Sequence, residues 1–450
     1  MVSLRKDRIS VAIEHVAESA ESTEQAPPRH SGITAWSMTG VVILLYMINY
    51  ADKAVYGIIA QPLARELGLT AAQIGMVGSL FFLIFTLGGL TSGLLNRWLG
   101  LRWALLALAI VWSAAMLPVV LAATLAALIA GRMLLGLAEG PSSALMHAAV
   151  YSWHAPARRG FPSALLLSAV SIAKIIFAPI LTWVTVSYGW RAALITMAVL
   201  GLVWSVLWLA TWSDGPYTAR KHDASASDAA PSVRWTSIFR APTFVFGSLL
   251  FMSYYALQTV ILTWLPSYFE LGLGFSAIEA GSMFGIPSLV ALAVMLTATR
   301  LSDRMVAHGA TVRKARSVLA AGGVLVGGAV LLFVPYIGSP MAVVALISLA
   351  YGIASVAAPL LNTAVSVICP QQQLAGTLGV YMAIMAVGGI FAPWLAGVIV
   401  DNAASPADGF ALSFQILGAA SGVFAVLALL FMRPDRDRDR LLGAKKEDLA

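Results

Sequence analysis

Residues 102–121 read RWALLALAIVWSAAMLPVVL, and no charge interrupts them after the opening arginine. A helix rises about 1.5 Å per residue, so a run of this length crosses the roughly 30 Å apolar core of a bilayer. Outward from it, similar stretches recur at 35–60, 71–95, 125–152, 160–186 and 190–212, and then at 241–268, 278–299, 316–336, 341–366, 374–400 and 410–432. They predict an all-α membrane protein of twelve transmembrane helices in two pseudosymmetric six-helix bundles.

Composition agrees. The chain is 59% hydrophobic and 11% charged, against about 25% charged residues in soluble domains; its mean hydropathy is +0.84. Cys369 is the one cysteine, which excludes an intramolecular disulfide and leaves helix packing in lipid to hold the fold. The net charge of +7 comes from basic residues in short loops, the pattern that membrane orientation requires, so nucleic acid is not an expected partner. No metal-ligand cluster, nucleophile elbow or phosphate loop is present in the sequence; an enzyme is not expected, nor a metal or cofactor.

The organisation that follows is an N-terminal tail (1–32), a first bundle (33–212), a polar linker (213–240), a second bundle (241–432) and a C-terminal tail (433–450). The Arg433–Arg440 stretch alternates arginine and aspartate and reads as solvated. Both tails, the linker and Arg97, Arg102, Arg158, Arg159, Arg220, Lys221, Arg234, Arg240, Arg300, Arg304, Arg313, Lys314 and Arg316 fall on one side. The opposite loops hold only Arg65 and Arg191. Both termini are therefore expected in the cytoplasm and the protein in the plasma membrane, the inner membrane of a bacterium, as a monomer. Trp98, Trp103, Trp153, Trp190, Trp212 and Trp235 lie near span ends, where indoles anchor at the interface.

Few charges lie inside the spans: Asp52 and Lys53 in the first, Arg132 and Glu139 in the fourth, and Lys174 in the fifth. Each costs about 2.5 to 3.5 kcal/mol at mid-bilayer, so such groups pair, face a wet cavity, or both. Asp52 and Lys53 are about 100° apart on their helix and point to different neighbours. Arg132 and Glu139 share a face to within about 20° but sit about 10 Å apart along the axis. Lys174 ends a polar stripe begun by Ser168 and Ser171. Ionised, the five carry one positive charge in excess, which a bound monoanion would cancel. Asp52 and Glu139 are the candidates for proton carriage; a salt-bridge network that only fixes helix register is the bland alternative. The second bundle offers Tyr254, Tyr255, Gln258, Tyr351, Asn362, Thr363 and Tyr381 instead, so the cavity is expected to be ionic on one side and polar-aromatic on the other. His147, about 80° off the Glu139 face, is expected to be structural.

Over residues 35 to 432 the chain resembles the major facilitator superfamily, and within it the anion:cation symporter family. Asn49-Tyr-Ala-Asp-Lys53 is similar to that family's Tyr-x-Asp-Arg element, and Gly131-Arg-Met-Leu-Leu-Gly-Leu-Ala-Glu-Gly-Pro141 to its Arg…Gly…Glu signature. Trp264-Leu-Pro-Ser-Tyr268, Tyr188-Gly-Trp-Arg191 and Leu301-Ser-Asp-Arg304 match as well. The resemblance implies import of a small organic anion, such as a sugar acid, aromatic acid or short organic acid, by proton symport. It places the proton sites at Asp52 and Glu139, anion binding at Lys53 and Arg132, and cavity lining at Tyr50 and Phe85. Three features depart from the pattern. Lys53 stands where arginine is usual, so a point charge replaces a bidentate fork. Arg97 stands where the loop between the second and third spans usually carries aspartate, which shifts the expected cytoplasmic latch toward Asp303 and Arg304. Met382 is apolar where some members carry asparagine. Lys174, with Ser171, lies outside the shared pattern and is expected to select the substrate. A uniporter or anion exchanger, and a transporter-like sensor, are the alternatives to symport.

Overall fold

The computed structural model describes residues 32–154, 159–217 and 233–443, all helical or irregular with no strand among them. The N-terminal tail, residues 218–232 of the linker and the last seven residues lie outside the described residues. Eleven helices are long and apolar enough to cross a membrane. The first half contributes Thr34–Leu67, Ala71–Gly89, Ser92–Leu121, Phe161–Tyr188 and Trp190–Thr211, and the second half contributes six from Pro242–Gly272 to Pro406–Phe431. The remaining span, fourth in order, is two helices, Leu125–Glu139 and Ser142–Tyr151. Pro141 has no N–H to continue the ladder and its ring crowds the preceding turn, so the helix breaks there. Ser142 Oγ donates to the Glu139 carbonyl at 2.5 Å and satisfies part of the interrupted ladder.

The two halves repeat one packing scheme. In the first half, span 1 packs on 5, 2 on 4 and 3 on 6; in the second, 7 packs on 11, 8 on 10 and 9 on 12. Span 2 can lie against span 4 because position 136 is glycine: a Cβ there would run into the Phe81 carbonyl. Between the halves, 2 meets 11, 1 meets 7 and 5 meets 8.

Hydrogen bonds that cross between the halves gather at the end away from the linker. The Asp401 carboxylate, on span 11, accepts the backbone N–H groups of Ala71 at 2.8 Å and Ala72 at 2.7 Å, which are unpaired donors at the start of span 2. Arg65 meets Glu270 at 2.5 Å. The Trp394 N–H donates to Ser79 Oγ at 3.1 Å. Gly75 lets span 2 touch span 11 there, since a Cβ would meet the Pro393 carbonyl.

Several sequence expectations need correction. The start of the C-terminal tail is not free in solvent. Asp435 accepts the N–H groups of Val312 and Arg313 at 3.0 and 2.9 Å, and buried Asp437 accepts that of Thr243 at 2.9 Å. The alternating acids thus cap the starts of spans 9 and 7, where exposed amide dipoles favour a negative charge. Trp153 and Trp190 are buried and are not interface anchors; the Trp190 indole donates to Glu66 at 2.7 Å. Trp98, Trp103 and Trp235 do remain exposed.

Replacing Asp401 with alanine removes the carboxylate that bonds two helix-start amides across the halves. In a Cys369→Ser background, a cysteine introduced at Ala72 should then react several-fold faster with a membrane-impermeant maleimide. An unchanged rate would mean that backbone packing alone holds this end shut.

Candidate functional site

Four of the five charges predicted inside the spans converge. Lys53 lies near the middle of span 1, and its ammonium is 2.6 Å from Glu139 Oε2 on span 4. It also donates to Asn49 Oδ1, one helical turn back, at 2.5 Å, and sits 4.7 Å from the centre of the Tyr50 ring and 5.1 Å from that of Phe85. Glu139 is fully buried and Lys53 nearly so. Neither Glu139 oxygen accepts a well-aligned hydrogen bond, so attraction of opposite charges at low dielectric holds the contact.

Arg132, two helical turns before Glu139, takes no acid into direct contact among the described residues. Its guanidinium lies between the faces of Tyr56 and Phe81, 4.3 and 4.4 Å from their centres. A ring face is electron-rich, and a desolvated cation gains about 2 kcal/mol there. Asp52 is buried with Oδ1 lacking a hydrogen-bond partner, in electrostatic reach of Glu139, Lys53 and Arg132.

Lys174 stands apart, on span 5. It is 3% exposed, and its ammonium lies 5.6 Å from the centre of the Tyr351 ring on span 10 of the other half. Tyr351 is stacked parallel to Tyr254 at 6.3 Å. Lys174 is in no ion pair or hydrogen bond among the described residues.

Of the other expected site residues, Tyr50 and Phe85 lie against Lys53, and Tyr254 stacks on the Tyr351 ring beside Lys174. Ser171 and Gln258 are half-buried. The Asn362 Oδ1 is enclosed without a hydrogen-bond partner. Thr363 does not face the charged set: it is exposed and returns its hydroxyl to the Pro359 and Leu360 carbonyls of its own helix, at 3.0 and 2.9 Å. Arg97, Asp303 and Arg304 are exposed, and none is in an ion pair among the described residues. The polar closure is made at the opposite end, by Asp401, Arg65 and Glu270. His147 is bonded through Nδ1 to the Ser143 carbonyl at 2.8 Å and packs its ring against Tyr46 and Tyr151.

Asn49, Tyr56 and Phe81 were not singled out from the sequence. The spacing of four between Asn49 and Lys53 marks neighbours on a helix and was available. Tyr56 and Phe81 reach Arg132 from two other helices, and no local pattern announces that.

Twelve spans in two matched halves, with charges held near the middle of their helices where the halves meet, define a membrane transporter. The chain belongs to the Major Facilitator Superfamily, whose model matches residues 42–366 and 311–449. It is similar to the hexuronate transporter of Bacillus subtilis, 25% identical over 88% of this chain and 94% of that one. A probable sulfoacetate transporter of Cupriavidus necator is 27% identical, over 89% of this chain and 94% of that one. The D-galactonate transporter of Escherichia coli is 24% identical, over 86% and 94%. Among solved structures, a bacterial homologue of the human lysosomal transporter Spinster superposes with a TM-score of 0.74 at 17% identity, covering 91% of this chain and 99% of that one. A D-xylose–proton symporter gives 0.73 at 18%, covering 89% and 99%.

Removing one member of a buried pair leaves an uncompensated charge, at a cost of about 3 to 5 kcal/mol. Lys53→Met should therefore lower the melting temperature sharply, and adding Glu139→Gln to it should recover at least half of the loss. Additive losses would show that the two side chains do not depend on each other.

Proposed function

We propose that this transporter moves a small organic anion, a carboxylate such as a sugar acid, aromatic acid or short organic acid, into the cell together with protons. The observation that carries this reading is the Lys53–Glu139 contact of 2.6 Å. While Glu139 is ionised, it occupies the ammonium that an incoming carboxylate needs. A proton on Glu139 removes that competitor and frees Lys53, with Tyr50 and Phe85 beside it, for the substrate. Asp52, beside Arg132, is a second place for a proton. The loaded site then carries less excess charge than the empty protonated one, which eases its passage through the low-dielectric interior.

Alternating access follows from the two-half architecture, with the halves rocking about the mid-depth site. In this structure the contacts at Asp401, Arg65 and Glu270 join the halves at one end. Basic residues are concentrated at the other, while Arg65 and Arg191 are each paired with an acid, Glu270 and Glu66. The basic end is thus the cytoplasmic one in this reading, with both termini there, and the closed end faces outward from the plasma membrane. The hexuronate and D-galactonate of two transporters similar to this chain, and the sulfoacetate of a probable one, are all organic anions, which supports the reading.

Glu139→Gln tests the coupling. In proteoliposomes it should abolish accumulation driven by a pH gradient while retaining exchange of substrate for substrate. Full pH-driven accumulation by this variant would remove Glu139 from the proton path.

A further inference from the structure

The ion pairing in the site is uneven, and the imbalance bears on the substrate. Lys53 is neutralised by Glu139 at 2.6 Å. Arg132 and Asp52 are in electrostatic reach of each other. Lys174 has no acid partner among the described residues: it is 3% exposed, and its ammonium lies 5.6 Å from the centre of the Tyr351 ring. A buried ammonium without a counter-ion is costly in a membrane interior, and a ring face returns only part of that cost. The side chain is placed for a ligand to complete.

Its surroundings join it to the rest of the site. Tyr351 and Tyr254 belong to the second half, so a group bound at Lys174 also touches the opposite bundle. Tyr50, whose ring lies under the Lys53 ammonium, is in the neighbourhood of Tyr351 and Tyr255. Tyr255 in turn meets Phe82 of the first half at 6.0 Å between rings. Lys53 thus sits beside Tyr50 and Lys174 beside Tyr351, two neighbouring tyrosines of opposite halves.

We infer that Lys174, with Tyr351 and Tyr254, is a second anion subsite, and that the substrate is a small diacid carrying one acid group to Lys53 and the other to Lys174. This rests on the proton-coupled reading above and follows from its charge balance. With Asp52 and Glu139 ionised, the five side chains have one positive charge in excess, and a monoanion neutralises them with no proton. Protonation of Glu139 leaves two positive charges in excess. The loaded site is then neutral only if the ligand brings two negative charges. A carrier that takes up a proton at Glu139 and crosses the membrane with a neutral site is thus a carrier of dianions. One proton travelling with a dianion moves one net negative charge, so inward transport runs against an inside-negative potential.

The test uses matched acids on the purified full chain in proteoliposomes: D-glucarate with D-gluconate, succinate with butyrate, and phthalate with benzoate. At least one diacid should bind tenfold or more tightly than its monoacid partner, and an inside-negative potassium diffusion potential should slow its pH-driven uptake. Lys174→Gln should erase the preference by weakening the diacid at least tenfold more than the monoacid, and Lys174→Arg should restore most of it. Should Lys174→Gln not fold, the wild-type preference and the voltage effect still decide the matter. Equal or tighter binding of every monoacid, or uptake of the favoured diacid indifferent to voltage, overturns the diacid assignment and leaves proton-coupled anion transport standing. Binding of no acid from any pair overturns both.

Discussion

The central constraint on this molecule is an ion pair in the middle of a membrane. Lys53 and Glu139 meet at 2.6 Å with almost no exposure to solvent. Either charge alone at that depth would be expensive, and the pair is affordable only because several features bring span 1 and span 4 into register. Gly136 lets span 4 lie against the backbone of span 2. Phe81 and Phe85, one turn apart on that span, then cover Arg132 and Lys53. The break at Pro141 ends the first helix of span 4 just beyond Glu139, at the depth where the carboxylate is needed.

The same region is where the halves divide the work. The first half supplies the charges and the second supplies aromatic surface, with Tyr351 reaching Lys174 and Tyr255 reaching Phe82. The remaining polar bonds between halves, at Asp401, Arg65 and Ser79, use few side chains near one end of the molecule. Asp401 and Arg65 are exposed, so their contacts can part without stranding a buried charge. The mid-depth ion pair lies wholly within the first half, so rocking of the halves leaves it intact. Only a proton or a competing anion alters it.

Much of this was legible in the sequence. Twenty-residue apolar runs mark spans because a bilayer has one thickness, and charges inside such runs stand out because they are costly. The seven-residue spacing of Arg132 and Glu139 correctly placed them on one buried face. The sequence did not reveal what each charge touches. The sandwich of Arg132 between Tyr56 and Phe81 draws on three helices, and its partners are ordinary aromatic residues in apolar runs. Asp435 and Asp437 looked like part of a solvated charge run because their partners are backbone amides of Val312, Arg313 and Thr243, which no side-chain pattern encodes. Asp303 and Arg304, where loop motifs place a latch, lie exposed at the linker end; the opposite end is joined by Asp401, which meets the start of a helix more than three hundred residues earlier.

Coupling in this transporter turns on the protonation of one side chain, which infrared difference spectroscopy reads directly. Addition of a bound organic acid to the reconstituted protein should convert Glu139 from carboxylate to carboxylic acid. A new protonated-carboxyl band should appear that is missing from Glu139→Gln. A Glu139 that stays ionised with substrate bound would contradict the exchange of counter-ions at Lys53.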